Sequence, residues 1–246
     1  MNISIAAETL FHIGSFPVTN SMLIAWIVMV GLIFFSWLAF RKQSLIPTGL
    51  QNIFEIVIEG VLGIIDSVTH DHEESKQFLP FIATIFLFVV FVNWMGILPG
   101  TGTIGIWELK EGHQFIIPFV RSTSADLNFT IALAIIAVTT VQIVGVMSIG
   151  FFAYIKKFLN FSSPLNFITG ILELVSEVSK LISFSFRLFG NIFAGEVLLS
   201  VMLFLVPYFV PIPFLALEIF VGFIQALVFA MLTLVFVKMA KEAHHA

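Results

Sequence analysis

The sequence predicts an all-α polytopic membrane protein with about five transmembrane helices, one long and steeply tilted, plus an interfacial amphipathic helix. Three observations carry this expectation. Of 246 residues, 59% are hydrophobic and 11% are charged, whereas a soluble domain carries roughly a quarter charged residues. Such a chain cannot cover a water-facing surface, so the bilayer is its solvent. Its apolar residues come in blocks of about twenty or more, the length that crosses a hydrocarbon core. Its basic residues gather at the ends of those blocks that share one side of the membrane.

The first span covers residues 21–40 and ends at Arg41 and Lys42. Residues 49–68 follow, "GLQNIFEIVIEGVLGIID" and its flank. Here Gln51, Asn52, Glu55, Glu59 and Asp66 recur at helical spacing opposite Ile, Val, Phe and Leu, the pattern of an interfacial helix. The polar face is acidic, unlike that of an anionic-lipid binder, which points to a partner protein as its cover. The second span, 78–98, ends at "LPG", and the third, 127–155, ends at Lys156 and Lys157. Residues 164–206 are apolar but punctuated by Glu173, Glu177, Lys180, Arg187, Asn191 and Glu196. The last span, 213–237, ends at Lys238 and Lys241. All of this forms a single membrane domain, 1–246, without an internal repeat of the kind that builds inverted-repeat transporters.

Arg41, Lys42, Lys76, Lys156, Lys157, Lys238 and Lys241 fall on one side if each segment crosses once, against Lys110 and Arg121 in the opposite loops. The amino terminus is therefore expected outside and the carboxy terminus inside. Residues 164–206 would make a helix about 65 Å long, roughly twice the ~30 Å core. A hairpin there would put Lys238 and Lys241 outside, so one tilted crossing is expected, with Gly190 or Gly195 as the place for a break.

Composition also excludes. A net charge of −4 gives no basic stripe for nucleic acid. The absence of Cys removes disulfides and thiolate metal sites. The start "MNISIAAETLFHIGSF" lacks the basic region of a cleavable signal.

At 100° per residue, Glu173, Glu177, Lys180, Arg187 and Asn191 lie within about 80° of one another, while Glu196 projects about 140° away from Asn191. Glu177 and Lys180, three residues apart, suit mutual neutralisation and packing. Arg187 does not, because Lys180, seven residues away, is its nearest charged neighbour in the sequence. Arginine at a bilayer centre costs about 2.5–3.5 kcal/mol on insertion scales, and it stays protonated. Such a cation wants a carboxylate from elsewhere. In the last span Glu218 and Gln225 lie two turns apart with Gly222 between them. Glu196 and Glu218 both fall in the outer halves of their spans, either as a proton relay or as groups solvated near the headgroups.

The stretch "SFRLFGNIFAGE" resembles the signature of the a subunit of F-type ATP synthases, the stator half of a proton channel. "LELVSEVSKLISFSFRLFGN" is similar to that family's long tilted helix, "TSADLNFTIALA" to its "PTADLN" motif, and "NWMGILPG" and "PTGLQN" also correspond. The resemblance covers nearly the whole chain. It implies that Arg187 faces a rotor ring of c subunits, attracts each ionised rotor carboxylate and blocks a proton short circuit. It implies that Asn191, Glu196, Glu218 and Gln225 border an outer half-channel, with Gln225 near Arg187, and that Glu173 serves an inner one. It further implies a b-subunit peripheral stalk as partner and no catalysis by this subunit alone. No cofactor or metal is expected, and the short amino terminus fits a bacterial inner membrane, with an organelle-encoded chain as the alternative. Two positions depart from the pattern. Thr123 stands where the family often has Pro, and both members of the Glu196/Glu218 pair are Glu where some members carry a histidine. The alternative is a stand-alone proton-coupled transporter that binds an anionic substrate at Arg187, with a membrane scaffold as a third reading.

The remaining features read plainly. "THDHEESK" gathers His70, Asp71, His72, Glu73 and Glu74 in one segment with no second ligand cluster, as a solvated turn does. His244 and His245 read as a frayed terminus or as tag-like remnants. The 30 Phe and 4 Trp are lipid-facing and packing material. No phosphate loop or nucleophile motif is present, so ATP chemistry belongs to other subunits.

Overall fold

The computed structural model describes residues 7–41, 44, 46–98, 104–110, 113–158 and 163–242. The expected His244 and His245 tail lies outside them. The chain is an all-α membrane protein with five helices long and apolar enough to cross a bilayer. These are α1 (Asn20–Phe40), α3 (His72–Met95), α4 (Leu127–Ile149), α6 (Pro164–Leu205) and α7 (Pro211–Glu242). Two shorter helices, α2 (Leu50–Thr69) and α5 (Phe151–Phe158), join them. Two antiparallel hairpins were not foreseen from sequence: β1 (Thr9–Ile13) with β2 (Phe16–Thr19), and β3 (Gly105–Lys110) with β4 (His113–Pro118).

Capping explains several boundaries. Thr19 caps α1 by accepting from the Met22 amide. Within "THDHEESK", His70 adopts the left-handed conformation that ends α2, and the Asp71 carboxylate accepts from the amides of Glu73 and Glu74 to start α3. Helix α3 therefore begins six residues before the expected span. Two acidic residues in its first turn suit the helix dipole. The charged side chains of this turn are paired, His72 with Asp66 at 3.1 Å, Lys76 with Glu73 at 2.9 Å and Glu74 with Lys241 at 2.8 Å. Asp126 caps α4 through the Asn128 amide.

The third span differs from expectation at its end. Gly150, with φ 84° and ψ 152°, stops α4 at Ile149, and α5 is a separate helix. Only glycine enters that backbone region readily. Tyr154 of α5 then folds back on Gly145, where an added Cβ would lie 2.7 Å from its ring. Helix α6 differs too, because it runs unbroken through Gly190 and Gly195 for 42 residues. Pro164 opens it at a position that needs no amide donor. At 1.5 Å per residue it is about 63 Å long.

The core lies where α3, α4, α6 and α7 meet, with Val61 and Ile65 of α2 packed beneath. Phe184 anchors α6 there, its ring 4.9 Å from Phe229 and 5.7 Å from Phe236. At the opposite end Asn93 donates to the Gly222 carbonyl at 2.9 Å, and the Trp94 indole donates to the Ile219 carbonyl at 3.1 Å. An added Cβ on Gly222 would sit 3.2 Å from Asn93, so glycine permits this approach of α3 to α7. Lys238 ties the end of α7 to α2 by donating to the carbonyls of Val68 and Thr69 at 2.8 and 3.1 Å. Helix α6 is the least covered span. Only 11% of its most apolar window is buried, against 44% for α3.

Candidate functional site

The polar residues of α6 and α7 form three groups along the helix pair. At the α5 end, Lys180 pairs with Glu177 at 2.7 Å and lies over the Phe236 ring at 4.8 Å. Gln142 of α4 donates to the other Glu177 oxygen at 2.7 Å, and the Tyr154 hydroxyl donates to Gln142. These groups satisfy one another and lock α4, α5, α6 and α7 together. Glu173, one turn before Glu177, is half-buried and also has a partner.

Two turns further along, Arg187 is exposed, and its Nη2 donates to Ser183 Oγ at 3.1 Å. Among the described residues no carboxylate pairs with it. Its neighbours Leu188 and Ile192 are buried, so α6 is seated on the core by one edge and turns the arginine outward. Together with Ser176, Ser179, Lys180 and Ser183 of α6 and Leu232 and Phe236 of α7, Arg187 lines a cleft of about 290 Å³. Asn191 is exposed one turn later. Gln225 of α7 is half-buried, and among the described residues it forms no hydrogen bond with Arg187.

The third group lies at the hairpin end. Gly195 presses against Glu218, whose Oε1 would be 3.3 Å from a Cβ placed on the glycine. Glu196 and Glu218 are thereby brought together on adjacent helices and interact electrostatically. Glu196 is not a lone carboxylate, however. Arg121, only 7% exposed, approaches Glu196 Oε1 with its Nε at 3.5 Å. In the sequence Arg121 stands only as a loop charge. Its signal was there nonetheless: a permanent cation five residues before a helix cap, too close to the bilayer to do without a counter-ion.

The loop that carries Arg121 is pinned on both sides. Asn20 donates to the Pro118 carbonyl at 3.2 Å. Ser21 Oγ donates to Asp126 Oδ2 at 2.7 Å, and Thr123 Oγ1 donates to the Ser21 carbonyl at 3.0 Å. The hydroxyl at Thr123 thus makes a bond that a proline there could not. An added Cβ on Gly96 would collide with Ser122, so this loop also lies directly on the end of α3. Ser122 Oγ and Ser124 Oγ of this loop, Glu196 Oε2 and, against α7, Asn93 Oδ1 are buried without a hydrogen-bond partner among the described residues.

Comparison with known proteins places this arrangement. The ATP synthase A chain family matches residues 22–238. The chain is 30% identical over 238 residues to ATP synthase subunit a of Moorella thermoacetica, which covers 96% of each chain. It is 36% identical over 228 residues to ATP synthase subunit a of Gloeobacter violaceus, covering 92% of this chain and 85% of that one. Identity is 35% over 247 residues with the chloroplastic ATP synthase subunit a of Oedogonium cardiacum, at 99% and 91% coverage. This chain belongs to the ATP synthase A chain family.

Proposed function

We propose that this chain is the stator half of the proton path in the ATP synthase membrane sector, working against a rotor ring of c subunits. The observation that carries the reading is Arg187, a permanent cation about a third of a turn from the buried edge of an apolar helix, exposed and with no carboxylate partner among the described residues. Its counter-charge therefore comes from another chain, and the sparse burial of α6 supplies the surface for it. Protons from outside pass Glu196 and Glu218 and reach a rotor carboxylate, with Asn191 and Gln225 bordering the path. After nearly a full turn of the ring the proton leaves on the inner side near Glu173. Arg187 attracts the emptied, ionised carboxylate and stops protons crossing directly between the two half-channels. Fixed charge suits this duty, since a lysine in a dry site can lose its proton.

The subunit is non-catalytic on its own, and a b-subunit peripheral stalk holds it still, with the acidic face of α2 as a contact. The chain sits in a bacterial inner membrane with its amino terminus outside and its carboxy terminus in the cytoplasm, the orientation supported by its basic residues. Nothing favours the stand-alone transporter. The test is Arg187→Ala in the assembled complex. ATP-driven proton pumping should be abolished while the complex remains intact, and normal pumping in that variant would overturn the barrier role.

A further inference from the structure

The loop before α4 reaches into the outer end of the helix pair, and it does so with a charge. Arg121 is 7% exposed and meets Glu196 Oε1 at 3.5 Å. Desolvating a guanidinium is costly, and a buried ion pair adds little to stability over apolar packing of similar size. Stability alone thus gives no reason for an arginine here. The backbone on either side of Arg121 is fixed, through Pro118 to Asn20, Thr123 to Ser21 and Asp126 to both Ser21 and Asn128. The guanidinium is therefore a charge held in place by three elements.

Its partner is held by one oxygen only. Glu196 Oε2 is buried and has no hydrogen-bond partner among the described residues, as is true of Ser122 Oγ and Ser124 Oγ in the loop that carries Arg121. Buried polar atoms of this kind are ordinarily bonded to ordered water. The charged groups that act on Glu196 are Arg121 from the loop, Glu218 from α7 and Glu8 from the segment before β1. One cation thus stands among three carboxyl groups, and it touches Glu196.

Resting on the proton-path reading above, we propose that Arg121 is a positioning residue for the outer path: it clamps one oxygen of Glu196 to the loop before α4 and leaves the other, buried and without a protein partner among the described residues, to exchange protons with water. The proton is taken up and released at Glu196 while Arg121 remains charged throughout.

The test is a double-mutant cycle in the assembled complex, in membrane vesicles, with proton conduction measured per assembled membrane sector across a pH series. The variants are Arg121→Gln, Arg121→Lys, Glu196→Gln and the Arg121→Gln/Glu196→Gln pair. Arg121→Gln should slow conduction on the order of tenfold to a hundredfold, the scale of a misplaced reacting group. Arg121→Lys should keep assembly, recover part of the rate and move the pH profile. The double variant should conduct no more slowly than Glu196→Gln alone. Independent losses that multiply in the double variant, or an unmoved pH profile in both Arg121 variants, would overturn the positioning role while leaving the proton path standing. Normal conduction by Glu196→Gln would overturn the path through Glu196 itself, and the positioning role with it.

Discussion

Asp126 offers a sharp test of whether the outer loop is a scaffold or part of the proton path. Its two carboxyl oxygens have separate duties: Oδ1 accepts from the Asn128 amide at 3.0 Å, and Oδ2 accepts from Ser21 Oγ at 2.7 Å. The side chain is buried, as is Ser21. Asp126→Asn keeps the cap through its carbonyl oxygen and can donate from its amide nitrogen to Ser21 Oγ, whose proton then turns to Thr19 Oγ1 at 3.1 Å, so the cost should stay within about 1 kcal/mol. Asp126→Ala loses the cap, worth about 1 kcal/mol, and the charged acceptor of the buried Ser21 hydroxyl, about 1–3 kcal/mol, which leaves that hydroxyl only Thr19 Oγ1 at 3.1 Å. The total is about 2–4 kcal/mol. Ser21→Ala should cost about 1.5–3 kcal/mol, because it strands a buried acceptor. In the alanine background the second loss should nearly vanish, since the pair is already broken. Denaturation midpoints of the purified complex, followed by release of this subunit, rank the variants. Pumping in vesicles well below those midpoints should survive in Asp126→Asn. A fully stable Asp126→Ala that no longer conducts protons would refute the scaffold reasoning and place Asp126 on the path.

Two further predictions concern contacts at opposite ends of α7. In Gly195→Ala the new methyl would lie 3.3 Å from Glu218 Oε1, so the carboxylate must give by a few tenths of an ångström. A flexible side chain can do so, and stability should stay within about 0.5 kcal/mol. Proton conduction should nonetheless fall on the order of tenfold, and an unchanged rate would separate Glu218 from the path. In Lys238→Met the carbonyls of Val68 and Thr69 lose their donor, at a cost of about 1–3 kcal/mol. Hydrogen exchange should accelerate in the last turn of α2 and not around Arg187, and equal protection in parent and variant would show that Lys238 does not hold that helix.

The parts of this molecule that sequence makes legible are those written in local chemistry. Solvent decides where the spans lie, because about twenty apolar residues between charges have no other stable home. The helical period alone separates Arg187 from Glu196, and the structure agrees, seating Leu188 and Ile192 on the core while Glu196 turns to another neighbour. The end of the third span was misjudged because apolar content continues past Ile149, and hydropathy does not see that Gly150 takes a positive φ. The break expected in α6 failed for the converse reason. Gly190 and Gly195 lower helix propensity, yet packing on α7 fills the space beside Gly195, and tertiary contact outweighs propensity.

What sequence does not carry is the meeting of segments far apart in the chain. Arg121 and Glu196 are neighbours only because Ser21, Thr123 and Asp126 hold a loop against the ends of α1, α3 and α4. The same logic accounts for the contrast between the two arginines. Arg121 is buried and finds its carboxylate inside the chain, so its charge is spent on internal order. Arg187 lies on a helix whose apolar window is almost wholly uncovered, and its side-chain hydrogen bond among the described residues is to a serine, Ser183. A stable membrane fold would not hold a cation in that position unless the neighbouring surface brought an anion to it. On the proposed reading, the surface next to α6 is a protein with a carboxylate at the depth of Arg187. Because the arginine cannot give up its charge, on that reading the carboxylate is attracted only while ionised, and the contact gates its protonation state.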